Sequence, residues 1–262
     1  MSRTVALVGA AGGVGTTRTA VECAAMLARD GFDAAVVDAA YATQGLSEYV
    51  PGRIDPDVTA LCLDPDRPVV DGLVEVPLAG AGADADSSRS DGDATPGRVA
   101  VAPALAPFER VARAKTVEAA QALEARIEEL NARFDAVLVD VPPVAANQSV
   151  AAVTAADTVA VVTSADTHGA DAARRMTDRL IDVGASPDHV VAVGGALADA
   201  DAAIPTGPTE VAAAPACLGD DAFAAGVADA TRTVCDLPLD VEFDERGALN
   251  RLVDAADERL RG

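Results

Sequence analysis

The stretch TVALVGAAGGVGTTRTA (4–20) constrains the fold more than any other part of the chain. TVALV is a continuous apolar run, the pattern of a strand buried on both faces. Gly12, Gly13 and Gly15 follow, residues that take positive φ and leave their N–H groups bare. From Thr17 to Asp30 the positions Val21, Ala24, Ala25 and Ala28 repeat at helical spacing, and Gly31 stands where such a helix would end. DAAVVD (33–38) reads as a second short apolar strand. Strand, glycine loop, helix and strand form a βαβ unit, which requires parallel strands.

The same alternation continues. RVAVAP (98–103), AVLVD (136–140), TVAVVT (158–163), HVVAV (189–193) and LPLDVEF (237–243) read as strands. Helices are expected over 116–134, with Val117, Ala120, Leu123, Ile127 and Leu130 on one face, over 169–183, and over 246–261. The expected fold is a single doubly wound α/β domain spanning 1–262, with a mostly parallel sheet. LAGAGADADSSRSDGDATPG (78–97) has few large apolar residues and reads as a flexible insertion. With aromatics at 3%, the core must be built from Ala, Val, Leu and Ile.

Charge narrows the function classes. The chain carries 42 acids against 20 bases, a net charge of −22, and its one lysine is Lys115. Self-repulsion on this scale opposes compaction in dilute buffer, and molar salt, with a Debye length of about 3 Å, screens it. An Asp- and Ala-rich, nearly lysine-free composition resembles that of halophilic proteins. So acidic a chain is a poor sequence-independent binder of DNA or anionic membrane, and no sequence-specific nucleic-acid partner is expected. The cysteines at 23, 62, 217 and 235 form no CxxC pair, which argues against structural zinc and a disulfide framework. No signal peptide and no membrane-spanning run is read, and the expected location is cytoplasmic.

Two aspartates sharpen the reading of the loop. Asp38 closes the second strand and Asp140 closes FDAVLVD. In an open parallel sheet the carboxyl ends of the strands share one edge, where ligands bind. The glycine loop and the N-terminus of its helix form an anion nest there, so Gly12, Gly13, Val14, Gly15, Thr16 and Thr17 are candidate nucleotide-binding residues. Thr17, Asp38 and Asp140 are candidate magnesium ligands, directly or through water.

In order, AAGGVGTT, AAVVDAAYATQGL, FDAVLVDVPP and AADTVAVVTSAD resemble the deviant Walker A loop, switch I, Walker B with switch II, and the following strand of MinD/ParA-type P-loop ATPases. These segments span 4–165; VEFDE (241–245) is more loosely similar to the family's last strand-to-loop segment. The resemblance implies a P-loop NTPase-like fold, ATP or ADP with Mg²⁺, and dimers formed across the nucleotide.

Departures from the family pattern fall where its chemistry lies. Ala11 and Thr16 occupy the places of the family's two loop lysines, Ala40 that of the acid that orients water, and Gly194 that of an adenine-pocket Asn. Val144 stands where a glycine often follows the two prolines. Arg18 is turned about 200° from Thr16 around a helix, and is expected to face solvent. Recruitment of Lys115 is not expected. No catalytic residue is assigned. The expected function is a regulatory or positioning protein, with weak nucleotide binding, weak or absent hydrolysis, possibly dimeric. The alternatives are a slow Mg-dependent ATPase using a non-lysine cation and a structural interaction protein that binds no nucleotide. The absence of cysteine near Asp140 argues against a cluster-bearing relative. The mixed charges of the terminal helix argue against a membrane anchor.

Overall fold

The computed structural model describes residues 2–78, 96–241 and 243. The bulk of the expected insertion and the expected 246–261 helix therefore lie outside the described residues. β1 (Arg3–Gly9), α1 (Thr16–Arg29) and β2 (Ala34–Asp38) form the opening βαβ unit. Next come α2 (Val58–Leu63), β3 (Val74–Glu75), β4 (Val99–Ala102), α3 (Phe108–Arg113), α4 (Val117–Asn131), β5 (Ala136–Val141) and α5 (Asn147–Ala155). The chain continues with β6 (Thr158–Ser164), α6 (Thr167–Asp182), β7 (His189–Val193), β8 (Ala202–Ile204) and α7 (Ala222–Cys235).

The strands build one eight-stranded sheet in the order β3-β4-β2-β5-β1-β6-β7-β8. Every pairing is parallel except β3 with β4. Alternation along the strands divides the core into two layers. Val5, Leu7, Val36 and Leu138 pack with α1 and α7, while Ala6, Val8, Val37 and Val139 pack with α4 and α6. Both faces are covered, which is why the strands read as unbroken apolar runs.

The helices start and stop for local reasons. Thr116 caps α4 by accepting from Ala119 N at 3.3 Å, and Asp166 caps α6 by accepting from Gly169 N at 2.7 Å. That cap starts α6 two residues before the expected 169. Gly31 (φ +91°) and Gly184 (φ +82°) follow the ends of α1 and α6 in the left-handed region.

One expected strand does not form. Residues 237–241 have no strand pairing. Pro238 lacks an N–H to give a ladder, and the segment is fastened across the helices instead. Arg232 donates to Leu239 O and, at 2.9 Å, to Val241 O, and Asp240 N donates to Asp30 at 3.0 Å. Leu239 is buried in the α1/α7 layer.

Candidate phosphate and metal site

The loop after β1 is shaped by its glycines. Ala10 N donates to Val162 O at 2.8 Å, which fixes the exit from β1. Gly13 (φ +78°) and Gly15 (φ +91°) then take left-handed conformations that side chains rarely adopt. Gly15 is the N-cap of α1 and offers no capping side chain, so the first-turn N–H groups are left for another acceptor. The first turn of α1 also contains no acid, in a chain with 42 of them. No acid of the first turn itself opposes the positive end of the helix dipole; the nearby carboxylate is Asp140, tied to Thr17. Thr16 folds back toward the start of the loop, where a Cβ on Gly9 would lie 2.8 Å from its Oγ1. Val14 packs against the α1/α7 layer.

Strand register brings the two aspartates together. Asp38 and Asp140 are direct neighbours on β2 and β5, and both are almost fully buried. Thr17 Oγ1 donates to Asp140 Oδ2 at 2.6 Å. Asp38 accepts from Ala40 N at 2.8 Å and from Ala104 N at 3.3 Å, tying the β2 and β4 loops to the sheet edge. Burial pushes both carboxyls above the ordinary range, and for Asp38 the facing Asp140 adds to the rise. Two hard-oxygen carboxylates short of positive charge beside a threonine hydroxyl suit Mg²⁺, which binds through one or two carboxylates while keeping waters and phosphate oxygens. Among the described residues no cluster of three or more His, Cys, Asp and Glu side chains gathers at metal-binding spacing.

A cavity of about 350 Å³ opens over the loop, lined in part by Gly12, Gly13, Gly15, Thr16, Thr17 and Asp140. Val14 and Asp38 are not among its lining residues. Ala11 and Ala40 also line it, and each contributes only a methyl group there. A second cavity of about 390 Å³ adjoins it, walled by Val193, Gly194, Ile204, Pro205 and Phe223 among others. Gly13, Gly15, Arg18 and Tyr49 line both.

Arg18 corrects the expectation that it faces solvent. Its side chain is 17% exposed and pairs with the buried Glu22 one turn on, at 2.6 Å. Its Nη1 donates to Glu210 O at 3.1 Å. The Glu22 carboxylate in turn accepts from Ala216 N and Cys217 N, all at 2.9 Å, and so clamps α1 to the segment before α7. A long side chain bends along the helix surface toward such a partner, which a bare angular count from Thr16 ignores. The signal available in the sequence was the Arg–Glu pair at i, i+4. Lys115 is not among the lining residues of either cavity.

A parallel sheet with a glycine loop, a helix N-terminus and two strand-end aspartates at one edge defines the P-loop NTPase-like class. The chain belongs to a family described as "AAA domain", matched over residues 2–185. It is similar in fold to the septum site-determining protein MinD of Pyrococcus horikoshii in complex with Mg-ADP, with 16% identity over 88% of this chain and 95% of that one and a TM-score of 0.65. A MinC:MinD cell division protein complex of Aquifex aeolicus matches with 18% identity, 92% and 98% coverage and a TM-score of 0.67. Cobyrinic acid a,c-diamide synthase of Mycobacterium smegmatis with ADP and magnesium matches with 21% identity, 74% and 76% coverage and a TM-score of 0.54. No curated protein matches the chain significantly by sequence. Among the described residues no helix is long and apolar enough to cross a membrane.

Proposed function

We propose that this chain is a single-domain, cytoplasmic MinD/ParA-like regulatory or positioning protein that binds Mg-ADP or Mg-ATP weakly and does not hydrolyse ATP at an appreciable rate. The observation that carries the reading is a cavity whose anion nest and Thr17–Asp140 pair are intact but whose lining includes no lysine. In this reading the Gly12–Thr17 backbone would cradle the phosphates, and Thr17, Asp38 and Asp140 would hold the magnesium, directly or through water. Bound magnesium would neutralise phosphate charge.

Binding and catalysis respond differently to the departures. One charge-assisted hydrogen bond is worth about 1.5–3 kcal/mol, so loss of the phosphate lysine weakens binding roughly 10- to 100-fold. Phosphoryl transfer rests almost wholly on positioning and charge stabilisation. Ala11, Thr16 and Ala40 together remove two cations and the acid that orients water, leaving no residue assigned to the chemical step. The complexes of MinD with Mg-ADP and with MinC support a role that combines nucleotide and partner binding; a homodimer across the nucleotide is what the family resemblance implies.

Calorimetric titration of Mg-ATP in molar KCl, with phosphate release followed in the same buffer and subunit mass measured with and without ligand, tests the proposal. Binding without turnover is the expected result. Mg²⁺-dependent turnover near one per minute, abolished by Asp140→Ala, would make the chain a slow ATPase. Absence of any binding would leave a structural interaction protein.

A further inference from the structure

Arg18 is the one basic side chain among the described residues lining either cavity, and it lines both. It stands on the first turn of α1, beside the unpaired N–H groups of the phosphate loop. Its guanidinium is only partly used. Nε engages Glu22 and Nη1 engages Glu210 O, while Nη2 is enclosed and has no hydrogen-bond partner among the described residues. A buried donor without an acceptor is unfavourable, and a charged one more so. Beside it is Tyr49, whose hydroxyl is pushed up by burial, an effect that the neighbouring Arg18 opposes. The two cavities present different groups. The first is lined by the glycine loop, Thr17 and Asp140, and the second by Val193, Ile204, Pro205 and Phe223 with no carboxylate besides Glu22. A ligand that fills both would place an anionic part against the glycine loop and a less polar part against Val193, Ile204 and Phe223, with its junction at Arg18 and Tyr49.

We infer that Arg18 is the guanidinium that grips the phosphate chain of a nucleoside diphosphate or triphosphate from within the same subunit, with Glu22 as the residue that positions it. The inference rests on the nucleotide-binding reading above and adds the cation that reading lacks. Glu22 holds one edge of the planar fork, which leaves the remaining N–H groups preset for a phosphate oxygen. Nη2 is enclosed as the side chain stands, so it meets a phosphate oxygen only when the guanidinium turns within the cavities it lines. Gripping lies on the ground-state side, so the arginine supports binding without restoring the missing hydrolytic groups.

The test is titration of Mg-ADP, with adenosine measured by competition at millimolar concentration, against the wild type, Arg18→Gln and Arg18→Lys in molar KCl. Arg18→Gln is expected to raise the Kd for Mg-ADP about 10- to 100-fold and to leave adenosine unchanged. Arg18→Lys keeps an ion pair for Glu22 and therefore the fold, but loses the fork, and is expected to weaken Mg-ADP several-fold. Undiminished Mg-ADP affinity in either folded variant overturns the assignment. An equal loss for adenosine and Mg-ADP also overturns it, because the role would then be packing. If the wild type binds neither ligand, the assignment and the nucleotide reading both fall. If the wild type binds Mg-ADP and the folded variants bind it as tightly, only the assignment falls.

Discussion

At the scale of single residues, the paired aspartates set a pH dependence. Asp38 and Asp140 hold their protons more tightly in the folded chain than in the unfolded one, because burial disfavours their charged forms. Stability from this pair is complete below the unfolded carboxylate value of about 3.9 and is lost as pH rises through the raised folded values. In Mg²⁺-free solution, Asp38→Asn, which cannot ionise, is expected to flatten the fall of the thermal midpoint between about pH 5 and pH 8. A fall as steep as the wild type's would assign the slope to other groups. Mg²⁺ with ADP is expected to flatten the wild-type curve by favouring the ionised pair. Both aspartates could be named from sequence because each ends an apolar run. The setting of Arg18 was legible only in part: the Glu22 pair stands at i, i+4 in the sequence, but Glu210 O is brought in from 192 positions away.

At the scale of elements, legibility followed unbroken runs of apolar, β-branched residues rather than burial itself. β1, β2, β5, β6 and β7 are almost entirely apolar and were readable as strands. The helix α7, AFAAGVADATRTVC, offered only small residues and an internal glycine, and its period was invisible. Packing explains that glycine. A Cβ on Gly226 would lie 2.3 Å from Pro205 Cδ and 2.9 Å from Ala203 O, so the helix is pressed onto β8 and its exit loop. Gly226→Ala is therefore expected to destabilise the protein, although alanine favours an isolated helix over glycine by about 1 kcal/mol. Denaturant unfolding decides it: an unchanged or raised midpoint would show that the helix has room to move. The described part of the expected last strand, residues 237–241, failed as a strand for a different reason. Its apolar alternation is real, but the buried face points at two helices and Arg232 takes its carbonyls.

At the scale of the whole molecule, a net charge of −22 acts on everything that approaches. At about 10 mM salt the Debye length is near 30 Å, and the chain repels itself, whereas at molar salt it is near 3 Å. The thermal midpoint is expected to rise steadily with KCl between these limits; a flat profile would remove the charge argument. The acid-free first turn of α1 adds a kinetic consequence. An incoming polyphosphate meets a repulsive field over most of the surface and an attractive one only at the mouth of that helix. Salt erases the long-range part first, since the mouth acts over a few ångströms. Stopped-flow association of ADP should therefore quicken as salt is added, the reverse of the electrostatic steering that speeds anions toward basic proteins. The helix mouth acts as a short-range landing point, reached most readily when the surrounding brine hides the rest of the molecule.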